Sequence, residues 1–261
     1  MTSFTIVTIT FNAASALPRT LESVLAQSHP AIEHIIVDGA SADGTVSLAE
    51  DYKRRSDAAA NGHTVTITSE PDRGLYDAMN KGLARATGDY VCFLNAGDFL
   101  PSADTIASIA RAAKDAARGG RQLPAVLYGD TDIVDSGGRY LRPRRLRPPR
   151  RLTWRSFRMG MLVCHQAFYA RTDIARRTPY NLAYKYSADV DWCIRVMREA
   201  ARLGLPLTDT GATIACYTEE GQTTIHHRES LRERFRVMAA HYGLLQTIAL
   251  HGWFAVRNIF H

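Results

Sequence analysis

The first hundred residues alternate two kinds of segment, and that alternation limits the fold more than any other feature. Residues 4–11 are an unbroken run of β-branched and apolar side chains closed by Asn12. Apolar on both faces, the run suits a central parallel strand covered by helices. Residues 17–27 then repeat Leu17, Leu21, Val24 and Leu25 on one helical face, with Pro18 in the first turn. Residues 33–38 read as a second strand, a helix follows to about Arg55, and 64–69 read as a third strand. A helix over 75–86 stops before Gly88, and 90–94 form the fourth strand. This order predicts an α/β fold, doubly wound around a mostly parallel central sheet of Rossmann-like type, with a C-terminal helical extension. Ligands of such sheets bind beyond the carboxyl ends of the strands. Those ends carry Asn12, Asp38, the stretch from Glu70 to Gly74, and the stretch from Asn95 to Asp98.

At 261 residues and 46% hydrophobic composition, one domain in two parts can bury a sizeable core. The expected division is a first half over 1–100, a second half of the same domain over 101–227, and a helical tail over 228–261. No basic segment precedes the apolar run at 4–11, so it does not read as a signal peptide. No stretch reaches the ~18 uncharged apolar residues of a membrane span, and a cytoplasmic protein is expected. Cys92, Cys164, Cys193 and Cys216 lack paired spacing and read as reduced structural thiols.

Five short pieces then add up. They are Thr-Ile-Thr-Phe-Asn (8–12), Val-Asp-Gly-Ala-Ser-Ala-Asp-Gly-Thr (37–45), Asp-Arg-Gly-Leu-Tyr-Asp-Ala-Met-Asn-Lys-Gly (72–82), Gly-Asp-Tyr-Val-Cys-Phe-Leu-Asn-Ala-Gly-Asp (88–98) and Ala-Asp-Val-Asp-Trp (188–192). In this order and spacing the chain resembles the family 2 glycosyltransferases of the GT-A fold over roughly residues 4–225. The variants at 72–80 and 94–98 look most like bacterial transferases of exopolysaccharide assembly, such as the colanic acid type. The resemblance implies transfer of a sugar from a nucleoside diphosphate, with UDP favoured, to a saccharide or lipid-linked saccharide acceptor.

Mapped onto these residues, the resemblance implies a donor site of Thr10, Asn12, Asp38, Ser41, Asp72, Arg73, Gly74, Asp77, Asn80, Lys81 and Asn95. Asp38 is expected to accept from the imide N–H of the base. Ser41 and Asp43 are read either as nucleoside contacts or as caps of the following helix. Gly74 precedes a helix whose N-terminal N–H groups suit a diphosphate, with Arg73 adding charge-assisted bonds. Asp77, Asn80 and Lys81 share a helical face.

The family's Asp-x-Asp metal signature is altered here: Asn95 and Gly97 stand at its two positions, and Asp98 follows as the remaining carboxylate. A divalent cation, Mg2+ or Mn2+, is still expected, with Asp98 as ligand and His226 and His227 as candidate helpers. The family's catalytic Glu-Asp element reads Ala188-Asp189, which leaves Asp189 as the expected base. Asp191 is its rival, and on a helix the two point about 200° apart. His165, Asp130 and Trp192 are the expected acceptor contacts.

The charge is uneven. Ten arginines and no acid lie between Ser136 and Thr172, and removing them turns the net +6 into −4. Prolines across 141–151 predict an extended, mobile loop rather than a helix. Few aromatics accompany the arginines at 139–158, so an anionic membrane surface fits better than nucleic acid. The tail repeats the pattern, with Arg228, Arg232, Arg234 and Arg236 before an apolar stretch rich in Leu, Ile, Trp and Phe. It reads either as a helix at the membrane interface, placing the protein peripherally on the inner face, or as a helix packed on its own domain or on a second subunit. Two rival functions are a nucleotidyltransferase and a donor-binding partner without turnover, the latter encouraged by Asn95 and Ala188.

Overall fold

Every residue of β1 (Phe4–Thr10) is buried, as its two apolar faces require. A computed structural model describes residues 1–219 and 227–259. β1 lies between β2 (Ile32–Asp38) and β4 (Tyr90–Phe93), parallel to both, and β3 (Thr64–Ser69) extends the sheet beyond β2. The register sets Thr10 beside Asp38 and Asp38 beside Ser69, so three strand ends stop at one level.

The second half continues the same sheet past residue 100. β7 (Phe168–Arg171) is antiparallel to both β4 and β5 (Val126–Val134). β6 (Tyr140–Pro143) pairs with the end of β5, and β8 (Leu207–Thr218) runs parallel along β5. The expected mostly parallel, doubly wound architecture is present, with β6 and β7 as its antiparallel members.

Helices α1 (Leu17–Leu25), α2 (Thr45–Ala59), α3 (Leu75–Arg85), α4 (Thr105–Ala116), α5 (Thr172–Arg177) and α6 (Ala188–Arg202) cover the sheet. Leu17, Leu21, Ile36, Ala49, Tyr52 and Val65 form a small core under α1 and α2. The main core fills the rest of the sheet and the space under α3 and α6. All four cysteines are buried and free.

The tail forms α7 (His227–Tyr242) and α8 (Leu244–Ile259). α7 packs on α6, and α8 on α7 and on a 3-10 turn at Trp154–Met159. Packing on its own domain, left open by the sequence, therefore holds for α7.

The arginine segment differs from the expected free loop. Arg139 pairs with Asp135, Arg142 with Glu219 and Arg147 with Asp130. Arg144 donates to the carbonyls of Leu146 and Met161. The segment is extended, as its prolines require, but its guanidinium groups fasten it down. Arg145, Arg150, Arg151 and Arg155 stay exposed.

Candidate active site

The strand ends meet at Asp38. One carboxylate oxygen accepts from the hydroxyls of Thr10 and Ser41, the other from the Ser41 N–H and the Ser69 hydroxyl. A carboxylate offers about four lone-pair positions, and all four are filled. Asp38 is 1% exposed. Burial opposes its ionisation, but these donors outweigh it and hold the carboxyl below its usual range. Asp38 thereby organises the loop, tying three strand ends together. Thr10 spends its hydroxyl on Asp38, and the Ser41 hydroxyl also accepts from the Asn12 N–H. Asn12 adopts a left-handed conformation at φ 47°, and its side-chain oxygen accepts from the Ala42 N–H. Asp43 accepts from the Thr45 and Ala14 N–H groups, joining the start of α2 to the turn after β1, while Gly44 is the N-cap of α2.

The third strand end joins this cluster across Gly39. A Cβ at Gly39 would lie 2.7 Å from an Asp72 carboxylate oxygen and 3.3 Å from the Phe11 ring. Phe11 is 66% exposed at this mouth. Sequence reasoning took it as the last residue of an apolar strand; its exposure is visible only once the strand ends one residue earlier.

Asp72 accepts from the Gly74 N–H at 2.7 Å, so it shapes the approach to α3. Gly74 caps α3 at φ 109°, ψ 176°, a conformation open essentially to glycine alone. A Cβ there would meet nothing within 4 Å, so the space above the helix N-terminus is open. Asp77 reaches back to the Arg73 N–H and guanidinium, each at 3.0 Å, and these bonds hold its carboxyl below the usual range. The Arg73 side chain is 79% exposed. Lys81 is tied to the Pro71 carbonyl and Glu70. Asn80 is corrected from ligand contact to tether: its amide both donates to the Tyr180 carbonyl and accepts from the Tyr180 N–H.

α3 leads to the second cluster. The Tyr76 hydroxyl donates to Asp189 at 3.2 Å. Asp189 is the second residue of α6, its side chain 18% exposed, and its other oxygen lies 3.4 Å from His165 Nδ1. His165 Nε2 faces the Asn95 side-chain amide at 3.2 Å. Burial works against ionisation of Asp189, but the His165 bond and charge, with help from Arg234, bring its pKa below the usual value. Asp191 points elsewhere, to Arg195 at 2.7 Å and His241 at 2.8 Å. The two aspartates divide as helical geometry predicts.

Asp98 does not fit an open metal ligand. It is 4% exposed, and its oxygens accept from the Gln166 amide at 2.7 Å and the Thr218 N–H at 3.1 Å. Burial lifts its pKa to about 6. Gly97 has no side chain to contribute, and no group of three His, Cys, Asp or Glu suited to a metal occurs among the described residues. The expected assignment is corrected: Asp98 joins β8 to the turn after β4. His226 lies outside the described residues, as does the side chain of His227. Asn95 Oδ1 is buried without a hydrogen-bond partner.

Two acceptor residues also move. Trp192 has no exposed surface and stacks on Tyr180 at 4.9 Å, with Phe93 and Phe168 at its edges. It is core, and the expectation of acceptor contact is withdrawn. Asp130 faces Arg147 at 3.4 Å. His165 stays at the site through Asp189.

A family model described as glycosyl transferase family 2 matches residues 5–176. The chain is a family 2 glycosyltransferase. The transferase is 34% identical over 236 residues to the "PGL/p-HBAD biosynthesis glycosyltransferase" of Mycobacterium bovis, covering 88% of this chain and 82% of the relative. Its fold is similar to that of Staphylococcus aureus TarS 1–349 in complex with UDP-GlcNAc, with a TM-score of 0.71 and 17% identity over 97% of this chain and 73% of TarS 1–349. A mannosyltransferase from Pyrobaculum calidifontis, in complex with GDP-Man and Mn2+, is similar at TM-score 0.59 and 19% identity, over 97% and 75% of the two chains. The transferase thus has the GT-A architecture.

Proposed function

We propose that this glycosyltransferase moves a hexosyl group from a nucleoside diphosphate, UDP favoured, to a hydroxyl of a saccharide or lipid-linked saccharide, with inversion. The product would belong to bacterial cell-surface or exopolysaccharide assembly. Relatives named as PGL/p-HBAD biosynthesis glycosyltransferases support a role in glycan biosynthesis, and a fold neighbour in complex with UDP-GlcNAc supports the donor class.

The observation that carries the reading is the Asp189 carboxylate: partly exposed, kept ionised, and oriented by Tyr76 and His165. As the acceptor oxygen attacks the anomeric carbon, its proton passes to Asp189. The bond from that carbon to the diphosphate breaks, and the diphosphate leaves with the electron pair. One displacement with one base inverts the configuration. The N-terminus of α3, open above Gly74, and the exposed Arg73 supply positive potential to the leaving group. A metal would contribute Lewis-acid stabilisation there, but no step is assigned to one, since Asp98 is closed. The reading as a partner without turnover loses ground: Ala188 is fully buried, and the carboxylate that matters is its neighbour.

The exposed apolar residues Leu244, Leu245, Ile248 and Trp253 lie along α8. Arg155, Arg158 and Met159 border the same 360 Å³ cleft as Gln246 and Leu250. Apolar and basic groups side by side support attachment to an anionic membrane surface on the cytoplasmic side. No helix is long and apolar enough to cross a membrane among the described residues.

Asp189→Asn tests the reading. Transfer should fall about 10²- to 10⁴-fold with nucleotide affinity retained, and NMR of the wild-type product should show the anomer opposite to the donor's. Full turnover in the variant, or retained configuration, overturns it.

A further inference from the structure

One face of α7 is turned to α6, carrying Ser230, Glu233, Val237, Met238 and His241 at helical spacing. Glu233 does something that helix packing does not require. One of its oxygens accepts from the Lys185 N–H at 2.7 Å; the other accepts from the N–H groups of Tyr186 at 2.5 Å and Ser187 at 2.6 Å. These are the three residues leading into α6, and Asp189 follows Ser187 by two positions. The segment from 181 to 187 forms neither helix nor strand, so no ladder holds those groups. A carboxylate at a helix N-terminus completes hydrogen bonds left open there and is favoured by the helix dipole. Bonds to an ionised acceptor are also the stronger kind.

The same face grips α6 again on the far side of Asp189. His241 Nε2 lies 2.8 Å from Asp191, with both side chains less than a tenth exposed. Asp189 is therefore bracketed by two α7 contacts, one ending two residues before it and one two residues after. Between these grips, Arg234 has a buried Nε without a hydrogen-bond partner.

We propose that α7 is a working part of the transfer site, with Glu233 the positioning residue that sets where the Asp189 carboxylate stands. The proposal rests on Asp189 being the base. Glu233 touches no substrate; it acts through the main chain of 185–187. Proton transfer requires the base within hydrogen-bond reach of the acceptor hydroxyl, and a displacement of about 1 Å can cost about a hundredfold in rate. A clamp on the residues leading into α6 is thus a clamp on catalysis.

The test compares Glu233→Ala and Glu233→Gln with wild type, in the 261-residue chain. Amide hydrogen exchange at 185–187 reads the clamp without any turnover, and kcat and donor KM read its consequence. In Glu233→Ala the three amides should exchange at least about tenfold faster and kcat should fall about tenfold or more, with donor KM within about twofold. Glu233→Gln, which keeps an acceptor oxygen, should recover part of the lost kcat; should Glu233→Ala not fold, a partial loss of kcat with faster exchange in Glu233→Gln carries the test. Unchanged exchange, wild-type kcat despite faster exchange, or a loss confined to KM overturns the proposal. Asp189→Asn run alongside separates the two readings. Full turnover there removes the base assignment, whereas loss there with wild-type kcat in Glu233→Ala removes only the clamp.

Discussion

His165 stands between the donor side and the base, its Nδ1 3.4 Å from Asp189 and its Nε2 3.2 Å from the Asn95 amide. The two ring nitrogens face different partners across the site. One imidazole thus orients the carboxylate and couples it to a residue at the end of β4.

The coupling sets a pH dependence. Tyr76 faces Asp189 from α3, His165 from the 3-10 turn at His165–Ala167, and Arg234 acts on it from α7. His165 is the largest influence holding the Asp189 pKa below its usual value against burial. His165→Ala removes it, so the pKa rises and more acid protonates the base at a given pH. The acid limb of the kcat/KM profile should move to higher pH, with wild-type nucleotide affinity. A pH–rate comparison checks this, and an unmoved limb denies His165 its part.

Phe11 should carry part of the donor affinity. Its ring is two-thirds exposed beside Gly39 and Asp72, where the strand ends meet. Stacking of a base on an aromatic ring is worth about 1–3 kcal/mol. Phe11→Ala should therefore weaken UDP binding by about five- to 150-fold while leaving the melting temperature near wild type. Calorimetry with UDP measures the first, a melting curve the second.

Asp98 predicts an unusual acid response. Burial raises its pKa from 3.8 to about 6, so the folded chain keeps a proton that the unfolded chain has lost. Stability from this group is fullest below the unfolded pKa and is lost as pH rises through about 6. Asp38, Asp189 and Asp191 have lowered pKa values and act with the opposite sign, so the difference between variant and wild type isolates the effect. Asp98→Asn should gain stability relative to wild type between pH 4 and pH 7, by up to about 3 kcal/mol. Because Asp98 is closed, the variant should also keep the wild-type response of UDP binding to Mn2+.

Membrane attachment is tested on α8. Leu245→Ser, Ile248→Ser and Trp253→Ser together remove exposed apolar groups without opening the core. Binding to phosphatidylglycerol vesicles should drop sharply, measured by co-sedimentation. Wild-type binding should weaken as salt screens the arginines. Neutral vesicles should bind poorly in both.

The architecture was legible because apolar runs of strand length alternate with one-sided helical runs, and five motif pieces fall at strand ends. The site was legible less evenly. Helical angle separated Asp189 from Asp191, and the resemblance to the family's Glu-Asp element chose between them. The bonds around Asp38 were legible only in part: Ser41 is three residues away, but Thr10 is 28 residues away and Ser69 is 31. Trp192 was misread because the rings that bury it come from β4, β7 and the loop at Tyr180. Glu233 gave no signal at all, since its partners are main-chain N–H groups that every residue but proline carries.

The 39–44 turn is held largely by its own peptide groups, the Gly39 N–H on Thr10, the Ser41 N–H on Asp38 and the Ala42 N–H on Asn12. Peptide groups do not change when a codon does. The shape of that turn is thus set by main-chain bonds, and altering it calls for grafting the turn whole rather than exchanging a single side chain.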